Sequence, residues 1–155
     1  MIQRIQTLYL LLACVLSACT LFMPLAYFST TSGELYDLCA LGLRTADGFQ
    51  IQNTIYLLVL VIASIVLPLG AILSFKNQML QMRLCVMGVI ISVGVYAMTA
   101  AYFYLSMRLF GEEVIDVKGF HPALFAPLAA IVASVLAARG AFQDMILLRS
   151  VDRIR

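Results

Sequence analysis

Residues 84–107, LCVMGVIISVGVYAMTAAYFYLSM, are 24 consecutive residues without a charge, bounded by Arg83 and Arg108. A run of this kind leaves a chain few options. At about 1.5 Å per residue, a helix over it outreaches a bilayer core about 30 Å thick, so it spans with some tilt. Gly88, Ser92 and Gly94 lie in its first half, where small side chains let neighbouring backbones approach. Tyr96, Tyr102, Phe103 and Tyr104 crowd its second half, the pattern of an aromatic belt at one interface.

Three more runs fit the same requirement, at 5–28, 55–75 and 120–138. The chain is 63% hydrophobic and 12% charged, against about 45–50% apolar and about 25% charged in soluble domains. Water could not accommodate so much apolar surface, and the length leaves room for one domain, 1–155. The opening Met1-Ile2-Gln3-Arg4 followed by leucines has the look of a signal peptide, and Leu16-Ser17-Ala18-Cys19 of a lipoprotein box. Apolar sequence continues through Phe28, well past a normal signal core, so a retained first span is expected. Pro68 and Gly70 interrupt the second span and predict a kink near its inner end.

The connections carry the polar residues. In the first, 29–54, Asp47-Gly48 stands between the apolar-rich runs 38–45 and 49–54. Asp-Gly in that setting is a hairpin signal, because Gly accepts the positive φ of a tight turn. The alternation is imperfect, and an irregular loop is the other reading. The third connection, 108–119, bears Glu112, Glu113, Asp116 and Lys118, and its 113–118 segment is expected to join the cap. The tail, 139–155, reads as a helix, either continuous with the fourth span or broken at Gly140, with a modest amphipathic pattern.

Charge orients the chain. Arg4, Lys76, Arg83, Arg139, Arg149, Arg153 and Arg155 fall on one side, and Arg44, Arg108 and Lys118 on the other. Seven against three in short segments places both termini in the cytoplasm, with the loops 29–54 and 108–119 outside. The expected architecture is an all-α membrane protein: a four-helix transmembrane bundle, N-in and C-in, with a small periplasmic cap that contains a β-hairpin or an irregular loop. A helix, loop, helix order with an outer β-element is similar in outline to claudin-like four-helix proteins, an analogy of fold that carries no function.

Few groups in the chain bear chemistry. None of the four spans contains Asp, Glu, Lys or Arg, whereas pumps and ion-coupled transporters keep such groups despite their cost. The net charge of +2 is too small to argue for nucleic acid. Cys14, Cys19, Cys39 and Cys85 show no metal or redox spacing, and a quinone-linked thiol oxidase would need cysteine pairs where Cys39 stands alone. No cofactor is expected. His121, the one histidine, stands beside Pro122 and downstream of the loop acids. It reads as a solvated interface residue, or as a metal or general-base site with those acids. Tyr102 and Tyr104 read as belt residues, or with His121 as the wall of a lipid or quinone groove. Met79, Met82 and Met87 read as packing residues rather than copper ligands. Ala126, Ala130, Ser134 and Ala138 recur every four residues and form a helix-packing face. Arg149, Asp152, Arg153 and Arg155 form either a docking surface for a protein partner or a contact for anionic lipid headgroups.

At the opening MIQRIQTLYLLLA, the turn FKNQMLQMRLC and the ending LLRSVDRIR, the chain resembles the uncharacterised four-helix inner-membrane proteins of Bacteroidetes-type bacteria, a domain-of-unknown-function family. The resemblance covers the whole length and implies four spans in the inner membrane, with no activity to carry over. The residues point to a non-enzymatic membrane protein, a scaffold or accessory subunit with a protein partner or a second copy. The alternative is a lipid- or quinone-handling protein that uses the outer aromatic residues.

Overall fold

The computed structural model describes residues 2–31, 33–45, 48–74, 77–110 and 115–152. Four helices dominate it: α1 (Ile2–Phe22), α2 (Ile55–Leu73), α3 (Gln78–Phe110) and α4 (Phe125–Asp152). Each contains a stretch long and apolar enough to cross a membrane. Five short strands complete it: β1 (Ala26–Thr30), β2 (Leu35–Cys39), β3 (Gly42–Thr45), β4 (Gln50–Gln52) and β5 (Ile115–Phe120). They form one sheet in the order β4-β3-β2-β1-β5, antiparallel throughout.

The helices pack in a ring, α1 on α2 and α4, and α3 on α2 and α4. Their buried residues alternate at spacings of four and three. The seam of α1 is Gln6, Leu10, Ala13, Ser17 and Thr20, and that of α2 is Leu57, Val61, Ser64, Pro68 and Ala71. In α3 it runs Gln81, Cys85, Gly88, Ser92, Val95, Thr99, Tyr102 and Ser106. In α4 it includes Ala130, Ser134, Ala137, Ala141 and Asp144. A mean spacing near 3.5 keeps one line of each helix facing its neighbours, the geometry of left-handed bundles. Most seam residues are small or hydroxylated, while Leu8, Leu11, Val59, Val66, Ile90 and Val132 point outward. Large apolar side chains outside and small ones inside suit a helix surrounded by lipid. Several buried hydroxyls are satisfied within their own helices: Ser92 donates to Gly88 O at 2.8 Å, Thr99 to Val95 O at 2.7 Å and Ser64 to Val61 O at 2.7 Å.

At one end, the helices carry the sheet. With 33 residues, α3 is about 50 Å long, longer than a bilayer core about 30 Å thick, and its C-terminal part extends along the sheet. Phe103 on that extension meets Phe28 of β1 at 4.8 Å between ring centroids and Phe120 of β5 at 4.7 Å. Phe110 meets Tyr36 of β2 at 4.7 Å. Leu25, Leu38 and Leu43 close the same core. Thr54, at the start of α2, makes no side-chain cap and instead donates to Ala40 O at 3.0 Å, tying the helix to the β2–β3 turn.

The structure corrects several expectations. The protein is not all-α, because the cap is a five-stranded sheet rather than one hairpin. The apolar run 5–28 is not one helix. Its helix ends at Phe22, and from Ala26 to Thr30 burial alternates with a period of two. Pro24 is the cause, since proline disfavours the α conformation in the residue before it. The hairpin signal does mark a turn, with Gly48 at φ +85 between β3 and β4, while Asp47 lies outside the described residues. The run 38–45 is, however, broken by a turn at Ala40-Leu41 into parts of two strands. Phe120 closes β5 instead of opening the fourth helix, which begins after a 3-10 turn at Pro122–Leu124. That helix passes Ala138 and Gly140 without a break.

Candidate functional site

Two places gather polar groups against the bundle. The first lies on the sheet. On β1, Tyr27 is flanked by Asp37 of β2 and Gly119 of β5. A Cβ at Gly119 would stand 2.6 Å from the Tyr27 ring, so only glycine lets the ring lie flat across the strand. Beyond it, His121 meets the Tyr27 ring edge-on at 5.1 Å. Its Nε2 is 3.5 Å from Asp37 Oδ1, close enough for attraction when protonated but not aligned as a hydrogen bond; that nitrogen is buried with no hydrogen-bond partner among the described residues. Its acidic neighbour among the described residues is Asp37; of the expected loop acids, Glu112 and Glu113 lie outside the described residues, as does the side chain of Asp116. Burial pushes the Cys39 thiol above its ordinary value, the Asp37 carboxylate pushes it further, and Arg44 opposes both. The hydroxyl of Tyr36 is also raised, chiefly by its hydrogen bond to Glu34. Among the described residues no three His, Cys, Asp or Glu side chains are grouped to hold a metal ion.

The aromatic candidates diverge. Tyr102 is 8% exposed and belongs to the core beneath the sheet. Tyr104, two positions on and so about 200° around the helix, is 56% exposed. Its hydroxyl accepts from Arg108 Nη2 at 2.7 Å, and the guanidinium lies 5.0 Å from its ring centroid. The two tyrosines do not line one groove, and His121 joins Tyr27 rather than either of them.

The second place is the opposite end, where α1 begins and α4 finishes. Gln6 Nε2 donates to Asp144 Oδ2 at 2.6 Å, and both side chains are buried, at 3% and 8% exposure. A Cβ at Gly140 would stand 2.9 Å from Gln6 Cγ, so this glycine serves the close approach of the two helices. Beside the pair is a cleft of about 330 Å³ lined by Ile5, Gln6, Tyr9, Arg139, Gly140 and Gln143. On the other side of α4, facing α3, a groove of about 670 Å³ is lined by Met82, Val86, Val135 and Phe142, again with Arg139 and Gln143.

Of the packing face, Ala130 and Ser134 are buried, and Ala126 and Ala138 are half-buried. A strict four-residue step drifts about 40° per step around a helix, so the buried line alternates threes and fours instead. Arg149 and Asp152 lie in α4 with side chains outside the described set, and Arg153 and Arg155 lie outside the described residues. Sequence reading missed Asp144, because the expected span stopped at Ala138. Asp144 continues the three-four spacing of Ala130, Ser134, Ala137 and Ala141, a line that becomes visible once the burial of α4 is known.

Residues 2–154 match the sequence model of a family described as "Domain of unknown function (DUF4293)". No curated protein matches the chain.

Proposed function

The chain belongs to that family, and from this premise we propose a non-enzymatic protein of the bacterial inner membrane, with both termini in the cytoplasm, that serves as a scaffold or accessory subunit of an envelope assembly. The carrying observation is the sheet, held at one end of the bundle by the Phe28, Phe103 and Phe120 rings and, among the described residues, open at the edge strand β4. Edge strands are usually guarded by charge. The other edge, β5, contains Asp116 and Lys118, but β4 is Gln50-Ile51-Gln52, with Phe49 exposed before it and Ile51 exposed within it. An uncharged edge with two exposed apolar side chains suits a partner that offers an extended segment. The excess of basic residues that the sequence assigns to the side of the termini supports the orientation.

Crosslinking in native membranes followed by affinity capture tests this reading. The expected result is a defined partner whose crosslinks map to β4, lost when Ile51 is replaced by Lys. Recovery of the wild-type protein alone under the same mild conditions overturns it. A lipid- or quinone-handling role has less support, because Tyr102 and Tyr104 face opposite ways.

A further inference from the structure

The groove between α3 and α4 combines an apolar wall with one cation. Met82 and Val86 of α3 face Val135 and Phe142 of α4, while Arg139 and Gln143 supply its polar groups. At about 670 Å³ it falls within the range of small-ligand sites. Arg139 is exposed, and no carboxylate pairs with it among the described residues. The nearest acid along α4, Asp144, lies five positions on, about 140° around the helix, where Gln6 holds it toward α1. The charge on Arg139 is therefore free for a ligand, and the ligand must be an anion with an apolar body.

We propose that this groove holds one anionic phospholipid of the surrounding bilayer, with an acyl chain along Val86 and Val135 and the phosphate on Arg139 and Gln143. Two observations favour a bilayer phospholipid over a protein segment. The groove opens on the flank of helices apolar enough to cross a membrane, where lipid is the neighbour. Arg139 also stands near the end of the apolar stretch of α4, which closes at Asp144, the level of a headgroup. A basic side chain at that level favours anionic over neutral headgroups about fivefold.

Native mass spectrometry of the full chain, titrated separately with phosphatidylglycerol, phosphatidylcholine and oleate, tests the site. The wild type should retain one phosphatidylglycerol in preference to phosphatidylcholine. Arg139→Gln should lose about fivefold of that preference, and Arg139→Lys should keep it. Val86→Trp, on an exposed wall position, should reduce retention of both phospholipids with unchanged helical circular dichroism. An undiminished preference in Arg139→Gln, a lost preference in Arg139→Lys, or unchanged retention in Val86→Trp overturns the proposal. Oleate held as firmly as phosphatidylglycerol also overturns it and identifies a free carboxylate amphiphile instead. The outcome is independent of whether β4 recruits a protein.

Discussion

Gln6 of α1 donates a 2.6 Å hydrogen bond to Asp144 of α4 across 138 residues of sequence. The bond joins the two ends of the chain at a point where both side chains are withdrawn from solvent. Removing one partner should cost more than removing both. Gln6→Leu leaves a buried carboxyl without its donor and should destabilise the protein by about 1–3 kcal/mol. Adding Asp144→Leu should restore most of that loss. Thermal unfolding of the single and double variants in one detergent decides it; a double variant no more stable than Gln6→Leu would mean that the carboxyl has other support.

Gly140 sits against the same glutamine. In a helix interior Gly→Ala ordinarily stabilises by about 0.5–1 kcal/mol. Here the added Cβ would press on Gln6 Cγ at 2.9 Å, and Gln6 is held in place by Asp144. Gly140→Ala should therefore destabilise the wild type but stabilise a Gln6→Ala background. The same unfolding assay reads this change of sign.

Phe103 couples the sheet to α3 through two ring contacts. Phe103→Ala should weaken that attachment by up to about 3 kcal/mol, less than a fully buried phenylalanine because the ring is only partly covered. The helices should persist, since their seams do not include Phe103. Limited proteolysis should show faster cleavage in the strands and their turns, with helical content unchanged. Equal loss of helix and sheet would show that the two fold as one unit.

Cys39 reports both side and electrostatics. With the other cysteines replaced, a membrane-impermeant maleimide should reach Cys39 from the periplasm, and a cysteine placed at Asn77 only from the cytoplasm. The reactive species is the thiolate. Asp37 raises the Cys39 pKa and Arg44 lowers it, so Asp37→Asn should speed labelling near neutral pH and Arg44→Gln should slow it. Raising the pH should narrow both differences as the thiol ionises in every variant. The reversed accessibility pattern would invert the orientation read from charge.

The sequence by itself determined that four helices would be long and apolar enough to cross a membrane, and it marked Gly48 as a position suited to a turn. Both follow from local properties, the hydropathy of successive residues and the φ tolerance of glycine. Pro24 was visible too, with the restriction it places on Met23, but the uninterrupted hydropathy on either side of it concealed the change from helix to strand. Only the tertiary structure decided which line of each helix is inside. In a chain whose helices are apolar all round, hydrophobicity cannot mark the buried face; packing of small residues at alternating threes and fours does, and that depends on the neighbours. The same holds for the partners of Tyr27 and Gln6. Gly119 reaches Tyr27 through a strand that follows α3, and Asp144 reaches Gln6 from the far end of the chain. Such pairs exist because the bundle brings distant segments together, and no local pattern of residues encodes them.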